Sequence, residues 1–452
     1  MSNTHSVSRR EFLRTARNTA FGVGVGVALP NLFLNQTKAA TGENPSELVR
    51  VGVIGTGLQG NGNIAAIMKN VVALCDVDKK HLEATQARVE KANGTKVATY
   101  ADYRKLLEDK SVDAVLIATP DHWHALPAAD AMVAGKDVYC EKPLTLTIHE
   151  GQVLMKLARK HKKILQTGSM QRSDAKFIKA CEYIRNGRIG KIKRVLVGLP
   201  GVNYADTLNR GGKPLTVPDS EPPPELNYDM WLGPAPYRPY NVNRVHYLFR
   251  FFWDYSGGQM TNWGAHHLDI TQWALGMDES GPVEAVASAE FNKEKLYETP
   301  TSFHITYKYA SGTVVECDSG GNKEKYKMGA TFEGEKGTIY VNRGALTFDP
   351  EGLEEDAIKD SEVHLYPSYK AISKLRNPHH ANWLECIKTR QEPVCSLSVG
   401  HHSAVVCHLG NIAVRTGKKV QWDPVKEEII GDAETAKWAF KVYRAPWKLP
   451  AV

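Results

Sequence analysis

The 452-residue sequence has no C-x-x-C pair, and its seven cysteines are odd in number and scattered from Cys75 to Cys407. Zinc ribbons and disulfide frameworks need clustered or paired cysteines, so both are excluded and buried free thiols are expected. A block of one charge is also missing. The formal net charge is +7, but four of those charges arise in residues 1–39, where Arg9, Arg10, Arg14, Arg17 and Lys38 face only Glu11. The remainder is nearly balanced, which gives no compositional support for nucleic-acid binding. Beyond residue 34 no apolar run approaches the roughly 20 residues that span a bilayer, and no internal repeat is present. What remains, 42% hydrophobic and 24% charged residues, is core-forming material in a chain longer than one ordinary domain. Two domains are the expectation.

The N-terminus reads Ser8-Arg9-Arg10-Glu11-Phe12-Leu13-Arg14, followed by an uncharged stretch from Thr19 to Leu34 and small residues at Thr37, Ala39 and Ala40. This is the pattern of a twin-arginine export signal, assigned to residues 1–39. A membrane anchor is the competing reading, but three glycines and Pro30 interrupt the stretch. A periplasmic or otherwise exported protein, handled by the twin-arginine export machinery, is expected.

From residue 48 to 168, short β-rich runs alternate with helix-length segments, as in a parallel sheet with crossover helices. Strands are expected over 48–55, 71–76, 96–99, 112–119, 137–140 and 163–167. After Gln171 the pattern changes. A helix near 175–186 leads to a strand over 192–198 and a Pro/Gly-rich connection over 211–239 containing Pro222-Pro223-Pro224. Alternating runs over 303–309, 313–317 and 337–341, with helices near 266–275 and 380–389, predict an antiparallel sheet. The fold class is therefore α/β: a Rossmann dinucleotide-binding domain (48–168), an α+β substrate domain with a large, mostly antiparallel open sheet (169–420), and a C-terminal tail (421–452).

Val51-Gly52-Val53-Ile54 runs into Gly55-Thr56-Gly57-Leu58-Gln59-Gly60, a G-x-G-x-x-G that ends a strand and opens a helix. Gly55 allows the tight turn, Gly57 lets the backbone approach a pyrophosphate, and Gly60 permits close helix packing. Asp76 follows at the end of the next strand, where a carboxylate accepts hydrogen bonds from ribose hydroxyls and repels a 2′-phosphate, so NAD is expected over NADP. Leu58, Gln59, Thr119, Pro120, His124, Glu141 and Lys142, at helix starts and strand ends, complete the expected cofactor wall. His122 and His124 suggest helix caps rather than metal ligands. The adjacent pairs His379-His380 and His401-His402 are expected to point apart, and no metal site is assigned.

The fifth strand ends in Glu141-Lys142-Pro143, and a later segment reads Gly257-Gly258-Gln259-Met260-Thr261-Asn262-Trp263-Gly264-Ala265-His266-His267-Leu268-Asp269. With the glycine fingerprint, these motifs resemble the Gfo/Idh/MocA family of oxidoreductases over most of the chain. The resemblance implies that Lys142 stands beside the nicotinamide and the reacting hydroxyl, and that His266 accepts or relays the proton. Asn262 occupies a position where many relatives carry Asp, and an amide cannot take up a proton. His267 and Asp269 are expected to cap the helix or tie the domains together.

Tyr204, Asp229, Trp231, Tyr237, Arg244, His246, Arg250 and Trp253 are candidates for sugar contact, with Tyr204, Tyr237, Arg244 and His267 assigned to the substrate. The implied activity is NAD-dependent oxidation of a secondary hydroxyl on a sugar, glycoside or cyclitol, with the cofactor tightly retained because no dissolved nicotinamide pool exists outside the cytoplasm. Two alternatives stay open: a glycosidase that oxidises, eliminates, hydrates and reduces, and a non-catalytic cofactor or sugar binder. The resemblance also implies a homo-oligomer, a dimer or tetramer.

Overall fold

The computed structural model describes residues 48–366, 375 and 377–452. The export signal read at residues 1–39 lies outside the described residues.

The first sheet has six parallel strands in the order β3-β2-β1-β4-β5-β6: β1 (Val51–Ile54), β2 (Val71–Cys75), β3 (Ala98–Tyr100), β4 (Ala114–Ile117), β5 (Asp137–Cys140) and β6 (Leu165–Thr167). Every residue of β1, β4 and β5 is buried. That follows from their continuous apolar runs, because crossover helices cover both faces of a parallel sheet. The hydrogen-bonded ladders are shorter than the apolar runs read from sequence, and the flanking residues turn into loops at the sheet's edge.

The second sheet has nine strands in the order β13-β12-β11-β7-β10-β9-β8-β14-β15. In chain order they are β7 (Ile192–Leu199), β8 (Glu284–Glu290), β9 (Ser302–Lys308), β10 (Val314–Ser319), β11 (Gly329–Gly334), β12 (Thr338–Val341), β13 (Leu346–Asp349), β14 (Val420–Asp423) and β15 (Glu428–Ile430). Only β7 with β10 runs parallel. The alternating burial along β9 (Ser302 to Lys308) marks a sheet with one face on the core and one face wetter. That core is built with the helices Ala175–Arg185, Ala265–Leu275 and Leu397–Thr416.

Leu397–Thr416 is a helix of twenty residues, of which the sequence reading implied only the turn holding His401-His402. Only Ser398, Arg415 and Thr416 escape burial, so it lacks the polar face whose periodicity reveals a helix in sequence. The boundary expected at 421 also falls differently, inside β14, so the chain beyond it begins as part of the sheet. All seven cysteines are buried and unpaired. No helix among the described residues is long and apolar enough to cross a membrane.

Two segments reach from the second domain back to the first. The stretch after β7 builds its own aromatic cluster around Tyr204, Tyr228, Trp231, Phe251 and Tyr255. It docks at the carboxyl end of β2 through Lys79 N–H to Glu225 O (2.9 Å) and Asn227 N–H to Val77 O (2.9 Å). Near the C-terminus, Tyr443 donates to Glu150 (2.5 Å), Arg444 donates to the carbonyl of Gly233 (2.9 Å), and Trp447 meets Trp123 edge-on.

Candidate active site

Between the carboxyl ends of the first sheet and the aromatic segment lies a cavity of about 400 Å³. Gly55, Gly57, Leu58, Gln59, Asp76, Thr119, Pro120, His124, Glu141 and Lys142 all line it. Gly60 stands behind them. Gly55 adopts φ +94°, and a side chain on Gly60 would fall 1.9 Å from the Gly55 carbonyl oxygen, whereas one on Gly57 would meet open space. The three glycines therefore divide into a turn, an open approach and a close contact. The helix Leu58–Ala66 starts without a side-chain cap, so its first N–H groups are free for an anion. This cradle fits the pyrophosphate of a dinucleotide.

Asp76 is fixed rather than loose. Its Oδ2 accepts from the Thr56 N–H (2.6 Å) and hydroxyl (2.9 Å), and its Oδ1 accepts from the Asp78 N–H (2.9 Å). Glu141 accepts from Gln59 (3.0 Å) and Asn63 (2.9 Å) and so braces the glycine loop against β5.

Lys142 follows Glu141. Its Nζ donates to the backbone carbonyl of Asn262 at 2.9 Å and lies 3.4 Å from the Asn262 Oδ1. The amide of Asn262 is oriented by its donation to Gln259 Oε1 (3.0 Å). Burial, with added repulsion from Arg250 and Arg343, brings the Lys142 ammonium down to about 8. Asn262 sits in a π-helical turn, Met260–Gly264, that opens the helix Ala265–Leu275. Such turns recur where a helix must present side chains to a site. His266, on the first turn of that helix, is buried with Nδ1 unpartnered. Burial first, then the charges of Lys142 and Arg343, hold it well below the usual imidazole range. The site thus pairs a cation of lowered basicity with a neutral imidazole, which is the state that can accept a proton.

The helix bearing His266 is anchored underneath. Arg172, after β6, pairs with Asp269 (2.8 Å) and Asp278 (2.7 Å), and Ser403 also donates to Asp269 (2.6 Å). Asp269 ties segments together and caps nothing. His267 is buried with neither ring nitrogen partnered, and it stacks on Trp263 rather than lining the cavity.

The other residues assigned to the substrate also stand apart from the cavity. Tyr204 is buried among Phe251, Phe252 and Tyr297. Tyr237 is 69% exposed. Arg244 pairs with Asp219 at 2.7 Å. Of the wider candidate group, Trp231, His246 and Arg250 do line it, while Asp229 is engaged by Arg444 (2.6 Å).

Two histidine readings change. His122 and His124 cap no helix: His122 Nε2 lies 3.0 Å from the Trp231 carbonyl, and His124 sits between the carbonyls of Pro143 (2.6 Å) and Thr119 (3.0 Å). They join loops across the site. His401 and His402 do not diverge; both approach Glu427 Oε1, at 3.3 and 3.0 Å, because that carboxylate lies over their shared edge of the helix. Arg343 was missed. It comes from the turn between β12 and β13, stacks over Trp263 at 4.7 Å and donates to Gln171 (3.3 Å). In sequence it is an ordinary turn arginine, with no signal of its destination.

The sequence pattern of an oxidoreductase family's NAD-binding Rossmann fold matches residues 49–169, and that of the same family's C-terminal alpha/beta domain matches residues 178–449. Among curated proteins, the chain is 31% identical over 180 residues to "Glycosyl hydrolase family 109 protein 1" of Shewanella sp. (strain ANA-3), covering 35% of this chain and 38% of the relative. It is 34% identical over 148 residues to "Inositol 2-dehydrogenase 1" of Saccharopolyspora erythraea, covering 31% and 43%. These matches span about two fifths of the relatives' lengths. Among solved structures, WlbA dehydrogenase from Bordetella pertussis in complex with NADH and UDP-GlcNAcA has a TM-score of 0.58 at 19% identity, covering 83% of this chain and 99% of that one. Aldose-aldose oxidoreductase from Caulobacter crescentus gives 0.58 at 18%, covering 83% and 99%. At such identities the likeness shows the fold alone.

Proposed function

Because the chain belongs to the Gfo/Idh/MocA oxidoreductase family, we propose that it is an exported NAD-dependent oxidoreductase acting on a secondary hydroxyl of a sugar, glycoside or cyclitol. The observation that carries this reading is Lys142: it follows β5 on the cofactor cavity and meets the Asn262 turn that begins the His266 helix. NAD, when bound, supplies the hydride acceptor. Lys142 donates a hydrogen bond to the substrate oxygen and stabilises the developing alkoxide. His266, neutral in this setting, receives the hydroxyl proton or passes it onward; Asn262 orients and does not titrate. The relative named inositol 2-dehydrogenase supports the substrate class.

The aromatic segment lines one side of the cavity through Trp231, His246, Phe249 and Arg250, and Arg444 holds that segment at the Gly233 carbonyl, which supports a cofactor retained through turnover. Export, read from Arg9-Arg10 and the following apolar stretch, adds the reason for retention. A retained cofactor must be reoxidised in place, by a second carbonyl substrate, by an external acceptor or within one cycle.

The last of these is a second reading, a redox-neutral glycosidase, favoured by the relatives named family 109 glycosyl hydrolases and by Asn262 in place of an acid. One experiment separates the two. Absorbance and fluorescence of the purified protein are followed while sugars and aryl glycosides are added and released aglycone is measured. Lasting reduction of bound cofactor supports the oxidoreductase. Aglycone release without lasting reduction supports the glycosidase, and neither response to any compound rejects both.

A further inference from the structure

At the carboxyl end of β2, away from Lys142, three side chains converge with no hydrogen bond between them. Asp78 Oδ2 lies 3.8 Å from His81 Nδ1 and 3.7 Å from His246 Nε2, and the imidazole centroids are 5.0 Å apart. All three line the cavity wall, and all three donor atoms fall within 4.8 Å of one another.

Asp78 is 6% exposed and divides its work between its oxygens. Oδ1 caps the helix Lys79–Asn93 by accepting from the Lys80 and His81 N–H groups. Oδ2 receives no hydrogen bond and stands at the cavity wall, free for a ligand. The separations to the imidazoles are too long for hydrogen bonds. They are close to the spacing of ligands around one ion: tetrahedral bonds of about 2.0–2.1 Å put donors about 3.3 Å apart. Closing the two carboxylate–imidazole gaps takes a few tenths of an ångström each, and the two imidazole donors already stand within 4.8 Å of one another.

His246 adopts φ +51°, a left-handed conformation that histidine, like asparagine and aspartate, enters more readily than most residues other than glycine. The local charge favours a cation. Asp76 is joined to Asp78 through the Asp78 N–H (2.9 Å), Lys80 is taken up by Glu225 and Lys79 pairs with Glu83 (3.7 Å), leaving Lys213 as the opposing charge felt at His246.

From this geometry we propose that Asp78, His81 and His246 bind a borderline divalent transition cation of the zinc class, which links the aromatic segment of the second domain to the cofactor domain. Two imidazoles and one carboxylate suit Zn²⁺, Co²⁺ or Ni²⁺ rather than Mg²⁺ or Ca²⁺. The role is structural. Strands β2 and β5 are separated by β1 and β4, so at about 4.8 Å per strand the cation stands roughly 14 Å from the catalytic lysine. It ties down the segment that closes the far end of the cavity, and one coordination position stays open to solvent or to a bound ligand.

The test uses the full chain, stripped with a chelator and titrated with Co²⁺ under visible absorption and with Zn²⁺ by calorimetry, each with and without NAD. One equivalent is expected to bind, with the ligand-field bands of four- or five-coordinate Co²⁺. His81→Gln and His246→Asn should each weaken binding at least about tenfold, since even outer-sphere partners of a metal are worth that much. Asparagine at 246 tolerates the left-handed backbone, and circular dichroism confirms that both variants fold. Absence of a stoichiometric site, or binding unchanged in both variants, overturns the proposal. So does displacement of the cation by NAD, which would assign the two imidazoles to the adenine. None of these readouts depends on turnover of a sugar, so the proposal and the proposed activity fail separately.

Discussion

The two halves of the candidate site are built on different terms. The cofactor half is one contiguous backbone run, Gly55 to Gly60, joined by Asp76 from the next strand, and its geometry depends on what is absent from the glycines. The hydroxyl half is made of side chains from distant segments, Lys142, Asn262, His266 and Arg343, with the basicity of Lys142 and His266 lowered by burial. Backbone recognition tolerates no added atom at the close contacts. Side-chain chemistry depends on everything that buries and orients it.

The largest separation between the halves should come from Lys142→Met. Turnover is expected to fall by about 10³, within the 10²–10⁴ typical of a positioned proton donor, while cofactor fluorescence shows undiminished NAD binding. Loss of both together would mean that the halves are not separable at Lys142. Gly60→Ala should do the reverse. Its Cβ would collide with the Gly55 carbonyl, which is backbone and cannot step aside, so NAD binding should be lost at a stability cost of about 1–3 kcal/mol. Calorimetry and cofactor stoichiometry measure this.

A third change works beneath the hydroxyl half. Asp269→Ala leaves Arg172 buried without its main partner, and breaking a buried ion pair costs about 3–5 kcal/mol. Unlike Lys142→Met, it should lower the unfolding midpoint in denaturant and disturb His266 only through its helix. A subtler probe is pH. Oxidation needs the Lys142 ammonium as donor, so its rate should fall as pH rises through about 8. His266, held neutral, should impose no loss near neutral pH. Arg343→Gln removes one repelling charge and should move the alkaline limb upward; an unmoved limb would assign it to another group. The smallest effect is expected from Tyr443→Phe, about 1 kcal/mol in denaturant, because it deletes one hydrogen bond to buried Glu150.

The same division governs how much could be read in advance. The glycine loop, Asp76 and Glu141-Lys142 were legible because Rossmann strands and their terminal motifs are local in sequence, and each matched position lines or backs the cavity. Tyr204, Tyr237 and Arg244 were not sortable, since aromatic and basic residues serve packing, surface and pocket alike. Tyr204 went to an aromatic cluster, and Arg244 found Asp219 first. The extent of the helix Leu397–Thr416 escaped because near-complete burial erases amphipathic periodicity.

By itself the sequence determined a parallel nucleotide-binding sheet and a larger, mostly antiparallel second sheet, because strand periodicity and motif spacing are properties of the chain taken in order; Lys142 and His266 were singled out by the family resemblance of their motifs. Only the tertiary structure decided that Arg343 would depress the basicity of Lys142, that His401 and His402 would share Glu427, and that Asp78, His81 and His246 would meet. Those encounters are set by which distant segments a common core forces together, and Coulomb and desolvation energies depend on that distance in space, not on distance along the chain.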